Sequence, residues 1–95
     1  DGHIASLFPG DKALEEQDRL VAAVRGGEPD IPRLTLTLPV LNRAREIVFL
    51  VTGRDKALRV KQAIEDRNES LPARRVQTAE GRLTWLLDRE AASML

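Results

Sequence analysis

Cysteine and tyrosine are absent from this chain, and histidine, methionine and tryptophan occur once each. Without cysteine there can be no disulfide and no thiolate metal site, a usage that fits a cytoplasmic protein. With one histidine and no cysteine, a zinc centre would need carboxylates for its remaining ligands, so no metal and no other cofactor is expected. Aromatic residues are confined to Phe8, Phe49 and Trp85, and none is interleaved with a basic block in the manner of nucleic-acid binders. Neither sign of charge is in excess: 15 basic residues balance 15 acidic ones. That removes the electrostatic case for nucleic acid or an anionic membrane as partner. No apolar run approaches the ~20 residues that span a bilayer, and no signal-peptide pattern is legible. The 95 residues suffice for one small domain. A chain of this size buries only about two thirds of its unfolded surface, which argues against a large independent core.

What is present is concentrated at the start. His3 is the only side chain whose ordinary pKa lies near neutrality, so acid–base work at pH 7 falls first to it. Asp1, two residues away, can orient the imidazole, and Gly2 lets the backbone turn between them. On residues alone, a single loop histidine is more often an ordinary surface or packing residue. A second candidate is Thr52-Gly53-Arg54-Asp55-Lys56, where a strand ends and a helix begins. Ligands of open α/β sheets gather at the carboxyl ends of strands. Free N–H groups and the helix dipole there favour an anion. Gly53 allows close backbone approach and Lys56 adds a point charge; the plainer alternative is a solvated lysine in a first helical turn. Arg33, just before a strand, is read either as a phosphate ligand or as a surface arginine.

The coarse reading places a loop over residues 1–10, closed by Pro9-Gly10 and packed down by Leu7 and Phe8. Asp11 can cap a short helical segment, Lys12 to Gln17. Residues 19–24 form a short apolar run, read as a buried strand, and residues 26–32, with two glycines and two prolines, read as a loop. Residues 33–38 alternate polar with apolar, which calls for one buried face; Thr35 and Thr37 share a face and need no function. Val40 to Arg45 is one to two helical turns, with Asn42 and Arg45 in structural roles. Residues 46–52 are continuously apolar between Glu46 and Thr52, as expected of a parallel strand covered on both faces. A helix follows over residues 55–67, with Ala57, Val60, Ala63 and Ile64 on one face. Residues 73–76 are an irregular piece, and Arg74 and Arg75 are solvated. Residues 83–87 form a last strand with Trp85 in the core, and Asp88 caps a terminal helix. The order implies an α/β fold with a mostly parallel sheet flanked by helices.

The string Asp1-Gly2-His3-Ile4-Ala5-Ser6-Leu7-Phe8-Pro9-Gly10 resembles the signature of the 6-phosphogluconolactonases. The related glucosamine-6-phosphate deaminases share Asp-Gly-His-Ile-Ala but continue differently, so Ser6-Leu7-Phe8-Pro9 looks like the lactonase branch. Val51-Thr52-Gly53-x-x-Lys56-Ala57 is similar to the block whose lysine contacts the sugar phosphate. Arg33 before Leu34-Thr35-Leu36-Thr37, and Asn42 and Arg45, also match positions of that family. The resemblance implies the fold shared by sugar-phosphate isomerases, deaminases and CoA-transferases. It implies hydrolysis of a phosphorylated sugar lactone in the pentose phosphate pathway, with His3 and Asp1 catalytic and with Lys56, Arg33 and Gly53 at the phosphate. It covers only the C-terminal part of the family pattern, so residues 1–95 are expected to be the C-terminal portion of one α/β domain. That portion is expected to pair with an N-terminal half of the same protein and to be inactive alone. The alternatives are a deaminase or isomerase of the same superfamily, or a non-catalytic piece that completes a fold.

Overall fold

A computed structural model describes residues 1–95. The regular elements are β1 (Val21–Gly26), β2 (Ile31–Leu36), α1 (Leu38–Leu41), β3 (Glu46–Val51), α2 (Ala57–Ile64) and β4 (Arg82–Leu87), with 3₁₀ turns at Lys12–Glu15, Arg54–Lys56 and Pro72–Arg75. The fold is α/β. β1 and β2 form an antiparallel hairpin in which Val21 faces Leu36 and Gly26 faces Ile31. β3 and β4 pair in parallel, joined through α2, with Phe49 opposite Trp85. The parallel part of the sheet is therefore confined to β3–β4. No helix is long and apolar enough to cross a membrane.

Local chemistry accounts for the boundaries. The Asp11 carboxylate accepts from the Ala13 N–H at 2.8 Å, which starts the turn at Lys12 as the sequence suggests. The hairpin is longer than the apolar run, because pairing continues through Arg25 and Gly26 and leaves only residues 27–30 as the connection. α2 starts and stops inside its expected span: a 3₁₀ turn precedes Ala57, and the chain leaves the helix after Ile64. Asp88 does accept from the Ala91 N–H at 2.7 Å, but no helix follows. Beyond it a single i−4 bond (Ala92 to Asp88) gives way to i−3 turns, so α-helical bonds never run consecutively.

The core joins Leu7, Leu14, Val24, Leu38, Phe49 and Val76 under the hairpin and the parallel pair. Leu7 is wholly buried and plugs the opening loop into this cluster. Leu7→Ala is expected to lower the unfolding free energy by about 2–5 kcal/mol in a urea titration, the usual range for a fully buried leucine. A change below about 1 kcal/mol would mean the loop is held elsewhere.

Two faces depart from expectation. Along β2 and into the residue after it the buried face is the polar one: Thr35 and Thr37 are buried, while Leu34 is 75% and Leu36 47% exposed. The hydroxyls explain it. Thr37 Oγ1 donates to the Arg19 carbonyl at 2.7 Å, and Thr35 Oγ1 accepts from the Ser6 N–H at 3.0 Å while donating to the Leu36 carbonyl. On β3 only one face is covered. Phe49 is buried, whereas Val48, Leu50 and Leu86 are 52%, 71% and 56% exposed. α2 lies across a cavity from Phe49 and Trp85, while Val48, Leu50 and Leu86 stay exposed. The molecule is accordingly a slab of 36 × 34 × 19 Å.

Candidate active site

The opening loop is fixed from several sides. Gly2 has φ +80°, and a Cβ there would meet Leu71 Cδ2 at 2.8 Å, so only glycine fits between Asp1 and His3. The Gly2 carbonyl accepts from the Ala73 N–H at 3.0 Å, Leu7 and Ile4 exchange hydrogen bonds across a tight turn, and Ser6 is tied to Thr35. Ala5, at φ 53°, occupies the left-handed position of that turn. Thr35, read as needing no function, thus helps hold the histidine loop.

His3 is held between two neighbours. Its Nδ1 lies 2.7 Å from Asp1 Oδ1, and its ring centroid lies 4.9 Å from that of Phe8. A carboxylate only accepts, so Nδ1 carries the hydrogen and Nε2 keeps its lone pair. The same Asp1 oxygen accepts from the His3 backbone N–H at 3.1 Å, so that amide is not free for an oxyanion. Partial burial is the largest influence on the imidazole, whose side chain stays 48% exposed, and it lowers the pKa; the positive charges of Lys56 and Arg33 act in the same direction. The Asp1 carboxylate favours the imidazolium form, yet the ring stays below its ordinary value of 6.5. The lowered pKa favours the neutral imidazole at pH 7, the form a base needs.

The dyad opens onto a cavity of about 480 Å³. Asp1, Gly2 and His3 line one side, Lys56 and Arg59 another, and Phe49 and Trp85 part of the wall between. Trp85 is half-buried and packs against the core: it stacks on Phe49 with centroids 4.3 Å apart and planes at 14°. The structure thus brings Asp1, His3 and Lys56 to one cavity. Lys56 caps α2, at the carboxyl end of β3, with its ammonium 3.5 Å from Asp55.

Two expected phosphate ligands are placed otherwise. Gly53 has φ +99°, suiting glycine, but its N–H donates to both carboxylate oxygens of Asp88 at 3.2 Å. The anion expected at this turn is therefore a side chain of the protein, and Gly53 does not line the cavity. Arg33 is also outside it. Its Nε donates to the Gly26 carbonyl at 2.7 Å and its Nη2 to the Pro29 carbonyl at 3.0 Å, with the guanidinium 5.9 Å from the Phe8 ring. It braces the hairpin connection and reaches His3 only through its field. Asn42 is structural as expected, accepting from the Gln77 N–H at 2.8 Å.

Comparison with known proteins places this geometry. The family described as glucosamine-6-phosphate isomerases/6-phosphogluconolactonase matches residues 1–85. The 6-phosphogluconolactonase of Rattus norvegicus is 47% identical over 97 residues, covering all of this chain and 37% of that protein. The human 6-phosphogluconolactonase is 46% identical, with all of this chain and 38% of that protein covered. The structure of 6-phosphogluconolactonase from Trypanosoma brucei superposes with a TM-score of 0.86 at 34% identity, covering 100% of this chain and 38% of that one. The chain thus spans 37–38% of the length of these relatives.

Proposed function

The chain belongs to the glucosamine-6-phosphate isomerase/6-phosphogluconolactonase family, and we propose that it supplies the general base and a phosphate anchor for hydrolysis of 6-phosphogluconolactone. The observation that carries this reading is the His3–Asp1 pair at 2.7 Å, facing a cavity that Lys56 also lines. In this mechanism Nε2 of His3 takes a proton from water as the oxygen adds to the lactone carbonyl. The tetrahedral adduct collapses by breaking the bond from the carbonyl carbon to the ring oxygen. That oxygen leaves with the proton returned from His3, giving the open-chain acid. Asp1 holds the ring in the Nδ1–H tautomer and balances the transient imidazolium charge. Lys56 binds the phosphate, and this remote contact orients the ring over His3.

The reading extends to the whole protein. Residues 1–95 act as the C-terminal portion of one α/β domain, whose N-terminal portion supplies the rest of the site. Support comes from the greater length of the relatives and from the uncovered apolar face at Val48, Leu50 and Leu86, since parallel strands are ordinarily covered on both sides. The proposed setting is the pentose phosphate pathway in the cytoplasm, which suits a chain free of cysteine.

Turnover by the full-length protein tests the reaction. Hydrolysis of 6-phosphogluconolactone without release of ammonia from glucosamine 6-phosphate is the expected result, and the reverse pattern would overturn it. Lys56→Ala in the same assay is expected to raise KM by roughly 10- to 100-fold, the loss of one charge-assisted contact, with a much smaller change in kcat. A mutant whose KM stays within twofold of wild type would remove Lys56 from the phosphate.

A further inference from the structure

One cation on the cavity wall has no part in the mechanism above. Lys56, Arg59, Val60 and Ala63 all line the cavity, and their spacings of three and four are those of a single helix face. Arg59 therefore stands one turn beyond Lys56, and side chains so spaced have Cβ atoms about 5–6 Å apart. No carboxylate lies within ion-pair distance of Arg59, in contrast to Lys61 on the same helix, whose ammonium is 2.9 Å from Glu65, and to Arg54, 2.9 Å from Glu90. The hydrogen-bond partner of its guanidinium is the neutral amide oxygen of Gln62, 2.7 Å from Nη1. Its charge is thus uncompensated at the cavity edge.

The charge balance of this wall gives Arg59 a role. Asp55 lines the same cavity 3.5 Å from the Lys56 ammonium, so those two charges largely cancel. A neutral pair is a poor host for a phosphate monoester, which carries about 1.5 to 2 negative charges at pH 7. Arg59 leaves the helix side of the cavity with one net positive charge, facing the Asp1 carboxylate on the opposite side. We propose that Arg59 is a second anchor for the ligand's phosphate, gripping it together with Lys56; this rests on the phosphorylated-lactone reading above. The two groups divide the work by chemistry. The ammonium acts as a compact point charge, while the guanidinium offers a planar fork matched to two phosphate oxygens. Arg33 cannot take this place, because two of its nitrogens are bound to backbone carbonyls outside the cavity.

The test compares phosphorylated with unphosphorylated gluconolactone as substrates of the full-length protein, wild type and Arg59→Gln. A second arm measures Kd for 6-phosphogluconate by calorimetry. Arg59 is exposed on a helix surface, so the substitution leaves the core intact. In Arg59→Gln the ratio of kcat/KM values, phosphorylated over unphosphorylated, is expected to fall by about 10- to 100-fold, and Kd to rise in parallel. Arg59→Lys is expected to recover part of the loss, because it restores charge without the fork. If wild type hydrolyses the phosphorylated lactone and Arg59→Gln keeps the same ratio and Kd, the proposal falls and the lactonase reading stands. If wild type hydrolyses neither lactone, the lactonase reading fails, and the calorimetric arm decides Arg59 separately. Weaker binding of 6-phosphogluconate in the mutant then supports the anchor, and equal binding or none overturns it.

Discussion

His3→Ala in the full-length protein is expected to lower kcat for lactone hydrolysis by about 10²–10⁴-fold, the usual contribution of a positioned general base, while KM changes little. The split follows from the geometry. The phosphate is held at Lys56, and the histidine meets only the reacting water and carbonyl. Without the imidazole the attacking water loses its proton acceptor, since no other side chain of residues 1–95 has an ordinary pKa near 7. The pH profile provides the independent check. With His3 present, kcat/KM should fall on the acid side as the ring protonates, with an inflection below 6.5, since burial and nearby cations disfavour the imidazolium. In His3→Ala that acid limb should vanish along with the rate. A mutant that keeps a near-full rate, or loses rate but retains the limb, would remove His3 from the base role.

The parts of this site that were legible in the sequence are those set by local chemistry. Asp1 and His3 are two residues apart with Gly2 between them, and that spacing nearly suffices to bring carboxylate and ring together. Lys56 was legible because a strand that runs into a helix leaves its first residues at the carboxyl edge of the sheet. The parts that escaped depend on contacts across long sequence separations. Nothing local says that Asp88 fills the N–H site at Gly53, 35 residues away, or that Thr35 holds Ser6 across 29. Periodicity also misleads on β2. Alternation fixes that two faces differ, but hydropathy favours Leu34 and Leu36 as the inner face, and the hydroxyl bonds of Thr35 and Thr37 reverse it. Arg59 carries a readable signal, its position three residues after Lys56, although the pattern of that helix face is dominated by its apolar residues.

Asp1→Asn tests how the dyad works and not merely whether it is needed. The substitution keeps size and one acceptor oxygen but removes the charge. The amide can turn its NH₂ toward Nδ1, which would force the hydrogen onto Nε2 and leave no lone pair facing the water. The expected loss in kcat is about 10- to 10³-fold, in the range found when a residue that orients a catalytic or ligating histidine is changed. The pH profile should move in a defined direction. The carboxylate 2.7 Å from Nδ1 is the contact that favours the imidazolium, so its removal lowers the histidine pKa further and shifts the acid limb of kcat/KM to lower pH. A purely structural Asp1, acting through its bond to the His3 backbone N–H, would give a different pattern. Asparagine preserves that acceptor, so the rate would stay near wild type with the limb unmoved. A lower plateau together with a limb shifted to acid is therefore the signature of an aspartate that both orients the ring and balances its charge.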